Sequence, residues 1–128
     1  MKEVVAIIQM DKIESTKDAL AAIGIPSFTA FKAYGRGAQR GLRVAHYGRG
    51  AQQVGYPSDS EAQGGRRMRY LPKRMLSIVV DDEHVPAVVT VITKVNKTGN
   101  IGDGRIFVSP IEESIRIRTG ERGQEALL

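Results

Sequence analysis

Strand-like and helix-like periodicity alternates twice along this chain, and one long aperiodic stretch separates the two halves. That order limits the possible folds more than any other feature. Val4-Val5-Ala6-Ile7-Ile8 is a β-branched apolar run that predicts a buried strand. After Asp11, the residues Ile13, Thr16, Ala19, Leu20 and Ile23 recur at three- and four-residue spacings, one face of a helix. Gly24 supplies a stop and Pro26 follows. Ser27–Ala33 alternates and predicts a second strand. From Gly35 to Tyr70 neither period is sustained, and eight of the fourteen glycines lie there. Structureless connections in compact domains rarely exceed about 12–15 residues, so this stretch is either a functional arm or disordered.

The second half repeats the scheme. Arg74–Val80 predicts a third strand, and Asp81-Asp82-Glu83 with Pro86 suits a helix start. Val85, Val88, Val89, Ile92 and Val95 give the helical stripe; valine and threonine are weak helix formers, so burial must hold it. Thr98–Gly104 is a glycine turn, Arg105–Ser109 a fourth strand, Ser114–Arg118 a short fifth, and Glu121–Leu128 a loose tail. The β-α-β-loop-β-α-β order predicts one α+β domain over 1–128, a ferredoxin-like sandwich with the long loop between strands 2 and 3. Two helices cover one sheet face. The other is also apolar and predicts a homo-oligomer. An RNA platform would instead need aromatics on the central strands. Those offer Phe107 and few others in a chain with 5% aromatics, so no nucleic-acid partner is expected.

Charge sharpens this. Residues 35–74 hold nine Arg/Lys against Asp59 and Glu61, a net +7, while the remainder carries ten basic and twelve acidic residues. The basicity belongs to the arm, not to the whole protein. No cysteine is present, no run of 18 apolar residues occurs, and MKEVVAIIQM is too short for a signal peptide and carries a misplaced Glu. A cytoplasmic protein without membrane insertion is expected. Two histidines and no cysteine give no basis for structural zinc.

Thr98-Gly-Asn-Ile-Gly-Asp-Gly-Arg105 carries the most chemistry. Its glycines let backbone N–H groups approach a ligand, and Arg105 closes the turn. Arg116 and Arg118 alternate with Ile115 and Ile117, so a strand there would put both arginines on one face. Together these form either a polyphosphate cradle or a glycine turn beside a solvated charged face. The pattern is neither a Walker A nor a Rossmann fingerprint. No enzyme is expected: Asp103 is a lone carboxylate, and neither His46 nor His84 shows a partner in sequence.

"TGNIGDGRIFV" followed by "IRIRTGE" resembles the signature of PII nitrogen signal-transduction proteins. Ala6-Ile7-Ile8, Ala19-Leu20, Gly24-Ile25, Gly35-Arg-Gly-Ala-Gln-Arg-Gly41 and Leu71-Pro72-Lys73 match in the same order, so the resemblance spans nearly the whole chain outside the loop interior. It implies a homotrimer binding ATP or ADP between subunits. It places Thr29 near the adenine, and Gly99, Ile101, Gly102, Asp103, Gly104 and Arg105 around the phosphates with Gly37 and Ala38. Arg116 and Arg118 would reach a neighbour's site. Gln39 would contact Mg²⁺ and 2-oxoglutarate, and Lys73 would pair with a 2-oxoglutarate carboxylate. Asn100 departs from the family pattern, where many members carry lysine.

By the same resemblance, residues of about 37–72 form the partner-binding T-loop, 98–105 the nucleotide turn and 114–128 the C-terminal strand and tail. The hexapeptide YGRGAQ occurs at Tyr34–Gln39 and at Tyr47–Gln52, but no longer repeat surrounds it. The second copy matches the family's "YRGAEY" region and puts Gln53 where a tyrosine is uridylylated. An amide has no phenolic nucleophile, so that modification is not expected. The loop is also longer than the family's common form, which resembles the nitrogenase-regulating (NifI-type) branch. That branch implies inhibition of dinitrogenase when fixed nitrogen is plentiful and relief by 2-oxoglutarate; the sequence leaves both arrangements open, with and without a second PII-type chain in the complex. Arg43, Tyr47, Arg49, Arg66, Arg67 and Arg69 are the expected partner contacts, their charge suiting an acidic surface. The alternatives are an ammonium-transporter gate with Arg49 as the plug, a small nucleotide-using enzyme, or an RNA-binding domain.

Overall fold

The computed structural model describes residues 1–37 and 70–127. Their order is β1 (Lys2–Gln9), α1 (Ile13–Ala22), β2 (Thr29–Gly35), β3 (Leu71–Val80), α2 (Val85–Asn96) and β4 (Arg105–Pro110). The four strands form one antiparallel sheet in the order β2-β3-β1-β4. This is the ferredoxin-like arrangement, with the long connection between β2 and β3. No described helix is long and apolar enough to cross a membrane.

Side chains alternate across a strand, and the burial follows. Val4, Ala6 and Ile8 of β1 and Leu76, Ile78 and Val80 of β3 point to the helices, where they meet Leu20, Val88 and Ile92. Asn96 Nδ2 donates to Thr16 Oγ1 at 3.0 Å and joins the two helices inside this core. Helix α1 ends as its glycine predicts: Gly24 takes φ 84°, its N–H bonds Ala21 O at 3.0 Å, and Ile25 N–H bonds Leu20 O at 2.9 Å, a Schellman closure. Asp81 caps the second helical segment by accepting from His84 N–H at 3.1 Å. His84 Nδ1 also meets that carboxylate, so the histidine has a partner the sequence did not reveal.

Strand bounds differ from the sequence expectation where pairing, rather than periodicity, decides. β2 runs two residues later than Ser27–Ala33, and β3 begins at Leu71 instead of Arg74. Pro72 is tolerated in β3 because it lies beyond the last β1 rung, Gln9–Lys73. Phe107 sits on the edge strand β4, not on a central strand, and Phe31 sits on the opposite edge. Between them the open sheet face presents Val5, Ile7, Met75 and Val79, with Glu3 accepting from Ser77 Oγ at 2.5 Å.

The C-terminal part corrects two further expectations. Ser114–Arg118 is not a strand: Ile115 makes an isolated bridge to Arg122. Gly120, at φ 77°, folds the chain back so that its N–H reaches Arg116 O at 2.7 Å. The tail is not loose either, since Gly123–Ala126 forms a 3-10 turn.

Candidate functional site

The Thr98–Arg105 turn folds onto the end of β1, and a carboxylate organises it. Asp103 accepts from Thr98 N–H at 2.7 Å, from Gly99 N–H at 3.0 Å and from Thr98 Oγ1. Burial pushes this carboxyl up. The Thr98 and Gly99 hydrogen bonds and the Lys12 charge outweigh that and hold it below the usual carboxylate range. Such a group stabilises fully above its unfolded pKa and loses that contribution as pH falls through the lower folded pKa. The turn is therefore expected to loosen in acid below pH 3.8. Asp103→Ala should cost about 1–2 kcal/mol of turn stability at neutral pH, read as faster amide exchange over 98–104.

Gly99 and Gly102 sit at φ 88° and 98°, and Gly104 at 119°. At Gly104 a Cβ would lie 2.0 Å from Ile7 O, so the turn rests directly on the β1 backbone. The next residue, Arg105, is the last rung of β4 opposite Ile7. Across the β1–β3 pair, Gln9 Nε2 and Lys73 Nζ both donate to Gly102 O, each at 3.1 Å. Lys73 is 7% exposed. Burial lowers its pKa against the opposing charges of Asp103 and Asp11.

A cleft of about 350 Å³ opens above this turn, lined by Ile7, Gly35, Arg36, Gly37, Lys73, Ile101, Gly102, Gly104, Arg105 and Phe107. Three cationic side chains, glycine backbone and the apolar Ile7, Ile101 and Phe107 share one hollow. That donor set fits a polyphosphate with an attached aromatic base. Among the described residues no cluster of His, Cys, Asp or Glu could hold a metal.

Of the expected site residues, Gly37, Lys73, Ile101, Gly102, Gly104 and Arg105 meet in this cleft. Asp103 and Gly99 frame the turn instead. Thr29 lies elsewhere, pairing with Ser77 on β3 and lining a separate hollow of about 270 Å³ with Ser114 and Leu127. Arg116 is held by Glu121 Oε1 at 2.5 Å and Glu125 O at 3.0 Å, while Arg118 is exposed in the following turn. The two arginines do not share a sheet face, because no strand forms there. Ala38, Gln39, Arg43, Tyr47, Arg49, Arg66, Arg67 and Arg69 lie outside the described residues. Sequence reading missed Ile7, Gln9, Arg36 and Phe107. Phe107 was accessible from period 2, two positions after Arg105; Ile7 and Gln9 needed the register with β4 and β3.

Residues 1–121 match the family model described as nitrogen regulatory protein P-II. The chain is 47% identical over 127 residues to "Nitrogen fixation nifHD region GlnB-like protein 2" of Methanothermococcus thermolithotrophicus, covering 99% of this chain and 98% of that protein. It is 48% identical over 131 residues to the protein of the same description from Methanothermobacter marburgensis, covering 99% of this chain and all of that one. Its fold is similar to the crystal structure of Arabidopsis thaliana PII bound to citrate, with TM-score 0.72, 29% identity, and coverage of 98% of this chain and 88% of that one.

Proposed function

The chain belongs to the nitrogen regulatory protein P-II family, a family of regulators rather than enzymes, and from that premise we propose that it is a trimeric sensor of adenine nucleotide and 2-oxoglutarate. Its target is the nitrogen-fixation machinery. The observation that carries the reading is the cleft at the root of the β2–β3 connection, where Arg36, Lys73 and Arg105 converge over a glycine turn. ATP or ADP lies with its phosphates over that turn and its base against the apolar Ile7 and Phe107. Thr29, Arg116 and Arg118 lie away from the cleft in their own chain, so a neighbouring copy supplies them, and the apolar open sheet face is what the copies share. Gln39 and Lys73 would hold 2-oxoglutarate, Lys73 taking a carboxylate, and Mg²⁺ would supply further positive charge there; a dianion offers the buried ammonium the charge that a neutral carbonyl does not. The arm between β2 and β3 then reports the ligand state to dinitrogenase and inhibits it when fixed nitrogen is plentiful. Relatives bearing the nifHD-region description support that target, and their number 2 supports a companion chain of the same family.

Titration calorimetry tests the sensor. Mg-ATP should bind alone, and 2-oxoglutarate should bind only once Mg-ATP is present. Absence of 2-oxoglutarate binding at saturating Mg-ATP would sink the reading. Nitrogenase component retained on the immobilised protein, and released by Mg-ATP with 2-oxoglutarate, tests the target.

A further inference from the structure

We infer that Gln9 is a positioning residue: it is the second donor of a double latch on the Gly102 carbonyl, and it keeps the nucleotide turn seated when Lys73 is drawn to an anionic effector. Gln9 and Lys73 are register partners on neighbouring antiparallel strands, so their side chains leave the sheet side by side on one face. Both reach the same acceptor at 3.1 Å. A carbonyl oxygen has two lone pairs and can accept both bonds. Because the acceptor is a carbonyl, the amide of Gln9 must present its NH₂ group there, which fixes its orientation. Gly102, at φ 98°, holds the backbone conformation in which this carbonyl meets the two donors.

The two donors are unequal. Lys73 is buried and charged, and burial disfavours its charge. It gains more from a carboxylate than from a carbonyl. Gln9 is neutral and gains nothing comparable from an anion. An effector carboxylate therefore draws Lys73 selectively and leaves Gln9 on Gly102. With one donor only, effector binding would leave the Gly102 carbonyl without a side-chain donor, and the two ligands would oppose each other at this point of the turn. With two, the turn stays in place and both bind together. This coupling role rests on the sensor reading. The latch geometry itself does not.

Two measurements separate them. In ligand-free protein, amide exchange over Gly102–Arg105 should rise modestly in Gln9→Met and in Lys73→Met, and in the double variant by more than the two combined. Gln9→Lys, which keeps a donor, should restore protection. In calorimetry, Gln9→Met should weaken Mg-ATP about threefold alone but by about tenfold or more with saturating 2-oxoglutarate, as expected when the last donor to a part-buried carbonyl is lost. Equal weakening with and without 2-oxoglutarate would overturn the coupling role and leave Gln9 a simple turn contact. Unchanged exchange in the double variant would overturn the latch. If the unaltered protein binds neither ligand, the sensor reading and the coupling role fall together, and the exchange data alone decide whether the two donors share the carbonyl.

Discussion

Gly104→Ala should destabilise the protein by about 3 kcal/mol or more, the largest loss expected from any single methyl group here. Two independent costs act at that position. The backbone sits at φ 119°, where a side chain is strained. The new Cβ would also fall 2.0 Å from Ile7 O and 3.1 Å from Ile7 C, atoms of a central strand paired on both sides. Neither backbone can retreat without breaking rungs, so the turn must lift off β1 and the cleft must open. Two companions calibrate the effect. At Gly99, φ is 88° but nothing lies within 4 Å, so alanine should cost only about 1–2 kcal/mol of backbone strain. At Gly37 nothing lies within 4 Å and no such strain applies, so alanine should fall within about 0.5 kcal/mol of neutral. Urea denaturation of the three variants should rank them in that order. Equal midpoints for Gly104→Ala and Gly37→Ala would show that the turn does not rest on β1.

Lys73→Met should reduce 2-oxoglutarate binding by about a hundredfold while leaving the ligand-free protein about as stable as before. The first effect follows from removing the charged partner of a buried carboxylate, worth about 2–5 kcal/mol at such sites. The second follows from burial, which lowers the folded pKa of Lys73. Between that lowered value and the ordinary lysine pKa of 10.5, the unfolded chain binds a proton that the folded chain does not. Stability must then rise with pH through that window and level off above it. Below the window the folded protein carries the full cost of a buried ammonium, partly offset by the Gly102 bond. Methionine removes both the cost and the bond. Denaturation midpoints measured as pH approaches 10.5 should climb for the unaltered protein and climb less for Lys73→Met. A variant that binds 2-oxoglutarate normally would take Lys73 out of the effector site.

Most of the scaffold was legible because its determinants are local. Gly24 marks the end of α1 through its own backbone preference, and Asp81 with Pro86 marks the start of the second helical segment. The glycine turn was legible for the same reason. What sequence spacing could not supply was partnership between segments. Ile115 to Arg118 alternates like a strand, yet a strand needs a neighbour with free hydrogen-bonding groups, and Gly120 turns the chain back first. Gln9 carries no local signal; its importance comes from facing Lys73 across the sheet and from the carbonyl above both. Thr29 and Arg105 belong to one motif set but lie in different hollows, which only the fold could separate.

The pairing of β2 with β3 runs without a break to Gly35 and Leu71. That last rung fixes both ends of the intervening segment at a single strand spacing, whatever its length. Because closure entropy grows only by about 0.6 kcal/mol per doubling of length, residues can be inserted or removed beyond the rung at almost no cost to the domain. The arm and its base are thus free to evolve at different rates. A lineage can exchange one target for another by rewriting the interior of that segment, beyond the cleft-lining Arg36 and Gly37 and the proposed effector contact Gln39, while the glycine turn and its two side-chain donors stay under unchanged selection.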